Sequence, residues 1–144
     1  MTPRDTSTGN VLEDTILPAL KRGGYKHTKG VFIGKRPSGR RHKVDILVED
    51  NNGIHCIVSC KWQQSGGTAE GKIPYEVICL HEALKNNSEN NYNKAYIVLG
   101  GSSGWTLKEF YLSGGLNKYF SFNLDNIIIL SLEDFISKAN KGEL

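Results

Sequence analysis

Apolar positions along this chain fall into runs with two different periods. Val11, Leu12, Ile16, Ala19 and Leu20 recur at helical spacing, which predicts a helix capped by Thr8 or Asn10 and closed after Arg22 by Gly23-Gly24. Tyr25 to Gly34 follows as a strand. Val44 to Val48 and Ile54 to Lys61 are two more, joined by Asn51, Asn52 and Gly53, an Asn-Gly signal for a hairpin. Together the three strands predict an antiparallel meander. Thr68 to Leu84 carries Ile73, Val77, Leu80 and Leu84 on one helical stripe, with Pro74 expected to kink or restart the helix. Ala95 to Gly100, AYIVLG, is continuously apolar, as in a strand covered on both faces. A helix from Thr106 to about Tyr119, interrupted at Gly114-Gly115, then leads to a strand from Ile127 to Leu130. A last helix runs from Ser131 to Lys138, with Ser131 and Asp134 as a capping box. The predicted order is αβββαβαβα, with no internal repeat. Because the helix between Lys61 and Ala95 is a crossover of the kind that joins parallel strands, the fold class is α/β, a mixed sheet flanked by helices.

With 144 residues and 16.0 kDa, the chain has room for one core and little room for a second, which predicts a single domain over residues 1–144. No apolar run approaches the ~20 residues of a membrane span, and MTPRDTSTGN lacks the apolar core of a signal peptide. The expectation is a cytoplasmic protein with no membrane partner. Cys56, Cys60 and Cys79 are odd in number and lie in apolar segments without a C-x-x-C pair, so they read as reduced core residues. His27, His42, His55 and His81 lack zinc spacing, and no G-x-S-x-G elbow occurs. The run Gly100 to Gly104 matches neither phosphate-loop pattern and reads as a turn.

A net charge of +3 with a pI near 8.7 is mild. The distribution says more, for Lys35, Arg36, Arg40, Arg41, His42 and Lys43 crowd around the turn Pro37-Ser38-Gly39, immediately before Asp45. A basic cluster of this density is a candidate for holding a phosphate backbone, through Lys35, Arg36, Arg40, Arg41 and Lys43. Side chains alternate along a strand, so Ile57, Ser59 and Lys61 share one face while Cys56, Val58 and Cys60 share the other.

Asp45, then thirteen residues, then Ser59-Cys60-Lys61, with Glu13 on the helix upstream, resembles the PD-(D/E)xK nuclease superfamily. The departures are Val44 in place of the proline and Ser59 in place of the acid two before the lysine. The resemblance implies a restriction-endonuclease-like three-layer α/β/α fold whose αβββαβ core spans Val11 to Leu99. It also implies a metal site for Mg²⁺, with Mn²⁺ as a substitute, in which Asp45 gives a carboxylate and Cys60 its carbonyl. Lys61 would orient or help deprotonate the attacking water and meet phosphate charge. One branch of restriction nucleases with S-x-K on the strand recovers its acid from the next helix, where this chain offers Glu70 and Glu76. Six residues apart, they lie about 120° around the helix axis, so only one can face Asp45. Glu76, separated from Lys61 by fourteen intervening residues where Glu70 has eight, fits that branch better, and Glu13 is the remaining alternative. Gln63 has the parity of Lys61, and Gln63 and Gln64 could hydrogen-bond phosphate or water at the site, while Trp62 is expected on the other face as core.

The function implied is a metal-dependent endonuclease hydrolysing DNA phosphodiester bonds, of restriction or homing type. A Holliday-junction resolvase and a catalytically inactive DNA-binding domain are the alternatives. Cutting both strands of a duplex calls for two sites, hence a homodimer or higher homo-oligomer.

Overall fold

The computed structural model describes residues 12–63, 69–86, 92–101 and 104–144, with the side chains of Leu12 and Glu13 excepted. The expectations for Thr8, Asn10, Val11, the Glu13 side chain, Gln64, Thr68, Ser102 and Ser103 lie outside the described residues.

A π-helical turn, Leu12–Ile16, leads into α1, Leu17–Arg22, which Gly23 ends. The meander follows as β1 Lys26–Lys35, β2 Arg41–Glu49 and β3 His55–Trp62. A 3₁₀ turn, Ala69–Lys72, precedes α2, Ile73–Lys85. Pro74 restarts the helix, lying in its first turn where the N–H it lacks has no intrahelical partner to lose. Strand β4, Tyr92–Gly100, is followed by α3, Lys108–Leu112, a 3₁₀ turn at Asn117–Tyr119, β5 Ile127–Ser131 and α4 Leu132–Asn140. The helix expected to be broken at Gly114-Gly115 is thus two short pieces, and the Ser131 hydroxyl caps α4 by accepting from the Asp134 N–H at 3.1 Å.

The sheet order is β1-β2-β3-β4-β5. Pairings β1/β2 and β2/β3 are antiparallel, β3/β4 and β4/β5 parallel. Two parallel crossovers moving in one direction across a sheet, each right-handed, put both connecting helices on the same face. Ile73, Val77 and Leu80 of α2 and Tyr111 of α3 accordingly pack with Ile57, Ala95, Ile97 and Leu99. On the opposite face Ile16, Ala19 and Leu20 join Phe135 and Ala139 of α4 against Ile46, Val58, Tyr96 and Val98. The alternating residues of β4 fill both cores, which is why AYIVLG has no polar position. The result is the three-layer α/β/α arrangement with a mixed five-stranded sheet. Among the described residues no helix is long and apolar enough to cross a membrane.

The carboxyl ends of β3 and β4 are locked together where they leave the sheet. Gln63 N–H donates to the Gly100 carbonyl at 3.0 Å, as does the Trp105 indole at 2.9 Å. Gly101 has φ +118°, and a Cβ there would run into the Gln63 carbonyl. Backbone conformation and space both demand glycine. Gly101→Ala is expected to cost on the order of 2–4 kcal/mol, from the left-handed backbone and the forced displacement of β3's exit. Chemical denaturation checks this, and a cost under about 0.5 kcal/mol would show that the lock yields freely.

Candidate active site

Strand β2 pairs with β3 only from Ile46, opposite Val58, to Glu49, opposite His55. At Asp45 the two strands part, and the Cys60 N–H that a continuing ladder would have used is taken by the side chain instead. Asp45 Oδ2 accepts from it at 2.6 Å. Since β2 runs antiparallel to β3, the beginning of one lies beside the end of the other, and Asp45 comes to the end of the sheet that carries Lys61. This is also the carboxyl end of β3 and β4, where open sheets of this class bind ligands.

Ile57, Ser59 and Lys61 face α2, as alternation requires. The helix delivers Glu76 onto them. Its Oε1 lies 3.5 Å from Lys61 Nζ and 3.3 Å from Arg36 Nη1, and the Ser59 hydroxyl donates to the same carboxylate. Glu76 is 4% exposed. Ile73, Val77 and Leu80 beside it are fully buried, so its position is set by how α2 seats its apolar stripe. Arg36 also donates to Cys79 Sγ at 3.2 Å.

The two carboxylates respond oppositely to this environment. Burial works to raise the Glu76 carboxyl, but Lys61, the Ser59 hydroxyl and Arg36 outweigh it and hold the group below the usual glutamate range. Burial pushes Asp45 up, countered in part by the Cys60 N–H and Lys61, while the charge of Glu76 raises it further. The arrangement is a buried, electrostatically strained aspartate beside a well-compensated glutamate.

From sequence His42 has a place in the basic cluster and no zinc spacing; the structure brings it to this site. It is 1% exposed, and its Nε2 makes no hydrogen bond among the described residues. Burial, then Arg36 and Lys61, hold it below the usual histidine range. Its burial could have been found from parity, because His42 alternates with Val44, Ile46 and Val48 as the buried positions of β2; its face could not, since Val44 packs in the core under α2 while Ile46 and Val48 pack in the opposite one.

The other expected site residues divide. Glu70 is turned away from Asp45, its carboxylate accepting from Thr106 N–H at 2.7 Å, Thr106 Oγ1 at 2.6 Å and Leu107 N–H at 3.2 Å. It ties the start of the α3 segment to the turn before α2. Gln63 is 2% exposed and its Oε1 accepts from the Glu70 N–H at 3.0 Å, so this oxygen braces the chain leaving β3. Arg36 differs from its expected companions in pointing inward to Glu76. Lys35, Arg40, Arg41 and Lys43 are exposed on the hairpin, and Lys43 lies close enough to Asp45 to lower its pKa. Trp62 is half-buried, its ring against Gly100. The Cys60 thiol lies on the face packed by α1 and α4 and is pushed well above the usual thiol range by burial, leaving its backbone carbonyl as the group able to serve a metal.

The two carboxylates, near enough for the charge of one to raise the other, are hard donors of the kind that Mg²⁺ and Mn²⁺ take. Asp45, raised first by burial and further by the charge of Glu76, is a carboxylate that a cation would relieve. Among the described residues no three His, Cys, Asp or Glu side chains form a cluster able to enclose a metal unaided, so water or substrate oxygens would complete its shell.

A carboxyl whose folded-state pKa stands above its unfolded value is ionised at neutral pH at the fold's expense, a cost present above the folded pKa and absent below the unfolded one. Asp45→Asn should therefore raise the thermal midpoint of metal-free protein at neutral pH, with the gain fading as pH falls through the raised pKa of Asp45 and gone below the ordinary aspartate range. Glu76 has the opposite sign: its contribution is full above the ordinary glutamate range and lost as pH falls through its lowered pKa. Glu76→Gln should cost about 2 kcal/mol by leaving Lys61 and Arg36 beside a neutral amide. Thermal melts from pH 3 to 8 check both; a destabilised Asp45→Asn would show that its carboxylate is structural.

A family model described as PD-(D/E)XK nuclease superfamily domain matches residues 4–143. No curated protein and no solved structure matches the chain. Nucleases of this superfamily typically use divalent metal ions, and they act on nucleic acid.

Proposed function

We propose that this chain, which belongs to the PD-(D/E)XK nuclease superfamily, is a Mg²⁺-dependent endonuclease that hydrolyses phosphodiester bonds in double-stranded DNA. The observation that carries the reading is Glu76 from α2, lying against Lys61 and Ser59 of β3. It supplies the acid that the strand lacks at Ser59, and so weighs against a catalytically inactive domain of the same fold.

Asp45, Glu76 and the Cys60 carbonyl would hold the cation, which when bound neutralises phosphate charge and lowers the pKa of water. Lys61, beside Glu76, orients the attacking water and meets the charge that develops on the phosphate. Arg36, half-buried between the basic hairpin and Glu76, is within reach of the same phosphate. The water oxygen forms a bond to phosphorus as the bond to the 3′ oxygen breaks, and the proton released from water is balanced by the one the 3′ oxygen takes up. Lys35, Arg40, Arg41 and Lys43 hold the flanking backbone without reading sequence. A duplex has two strands of opposite polarity, and two copies of the chain related by a two-fold axis would present one site to each. Restriction and homing endonucleases share these needs.

Single-turnover cleavage of plasmid DNA tests the assignment. Asp45→Asn, Lys61→Ala and Glu76→Gln should each slow the chemical step by about a hundredfold or more, equivalent to at least ~2.7 kcal/mol of barrier, and Ser59→Ala by far less. Ca²⁺ should support binding only. Full activity in EDTA overturns the metal assignment, and an unimpaired Glu76→Gln overturns the role of the helix acid. Replacing Arg40 and Arg41 with alanine should weaken duplex binding and flatten its salt dependence; an unchanged slope would mean the turn makes no phosphate contacts.

A further inference from the structure

The hairpin of β1 and β2 bears an aromatic side chain that the fold does not use. Phe32 is 46% exposed. It pairs across the ladder with Lys43, and the Arg41 guanidinium lies over its ring, 3.7 Å from the centroid, with Lys43 Nζ at 5.7 Å. The register shifts between Phe32 and Lys35, and Gly30 and Gly34 on either side have φ of +61° and +123°. Irregularities of this kind bend a strand and re-aim its side chains. From Lys26 to Val44 the sequence holds seven Lys and Arg residues and no acid, so the surface around the ring suits a polyanion.

We propose that Phe32, backed by Arg41, is a stacking platform for an unpaired or extruded DNA base next to the cleaved phosphate. The inference rests on the nuclease reading and narrows its substrate to DNA that can present such a base. Phosphate contacts need cations alone; a ring kept in water among them adds what cations lack, a flat apolar face for a base. Arg41 holds one side of the platform by cation–π attraction, and nearly half of the residue remains accessible for a ligand. Position fits as well. Lys43, directly across from Phe32, is two residues from Asp45, about 7 Å along the strand, so a nucleotide stacked on Phe32 neighbours the phosphate at Asp45. Paired bases within a regular duplex keep their faces stacked on each other and offer none to the ring. A bulge, gap, branch or flipped nucleotide offers one.

The test measures, in Ca²⁺ and with the cleavage-impaired Asp45→Asn protein, binding to a labelled duplex and to the same duplex carrying one bulged 2-aminopurine. Phe32 intact, the bulged DNA should bind about tenfold more tightly, equivalent to about 1.4 kcal/mol, with a change in 2-aminopurine fluorescence on binding. Adding Phe32→Ala should abolish the preference and the signal while leaving affinity for intact duplex within about twofold; Phe32→Trp should retain both. Equal loss on both DNAs overturns the proposal in favour of a general backbone contact. A change in oligomeric state with Phe32→Ala overturns it in favour of packing between copies. Absence of binding to either DNA by the protein with Phe32 intact overturns the nuclease reading itself, and the stacking platform with it.

Discussion

Two carboxylates buried in one site are tolerable only where fixed positive charge and N–H donors surround them, and the sheet supplies both through a single geometric event. Strand β2 separates from β3 at Asp45. Had the ladder continued, the Cys60 N–H would have met a backbone carbonyl and Asp45 would have had no donor. The separation releases that N–H to the aspartate and opens the space in which α2 sets Glu76 against Lys61. Asp45 remains raised by burial, so the charge balance is incomplete in the protein alone, as a cation-binding site requires.

The layers follow from the same arrangement. Right-handed crossovers put α2 and α3 over the face that carries Ile57, Ser59 and Lys61, and the alternation of β3 leaves Cys56, Val58 and Cys60 to the core beneath α1 and α4. A one-residue slip of β3 against β4 would send Lys61 into that apolar core and bring Cys60 to the site. Such a slip would bury a charge without a partner, which is far more costly than any ladder hydrogen bond lost. Lys61 therefore helps fix the register that makes it useful.

The elements were legible in the sequence because each has one dominant period. Ile73, Val77 and Leu80 marked a helix face, and AYIVLG marked a strand buried on both sides. The Asp45 and Lys61 ends of the hairpin could be read from alternation and from the Asn52-Gly53 turn. What local patterns could not carry was the direction of long side chains over distance. Glu70 and Glu76 both lie in the segment after Lys61 that leads into and forms α2, yet Glu70 meets Thr106, thirty-six residues away in sequence. Arg36 sits among exposed basic residues but spans the gap to α2. His42 was masked by its cationic neighbours, although the parity of β2 marked it as buried. Each depends on a tertiary contact between segments that local reading treats separately.

On the proposed assignment of Glu76 as the acid of the site, a strand position can be vacated without dismantling it. A carboxylate at position 59 would project toward α2 from a strand of fixed register, and its reach would be set by β3. Supplied from α2, the charge arrives from the opposite layer, and its position is set instead by the helix's rotation and by where the helix begins. Pro74 governs the second, since its ring belongs in a first turn and lies two residues before Glu76. Ile73, Val77 and Leu80, all fully buried, govern the first, because turning Glu76 away would turn this stripe out of the core at roughly 1.5–3 kcal/mol for each side chain exposed. Ser59 then changes role, from bearing the charge to donating a hydrogen bond to it. The carboxylate count is preserved, and the precision once given by strand register is given by helix packing.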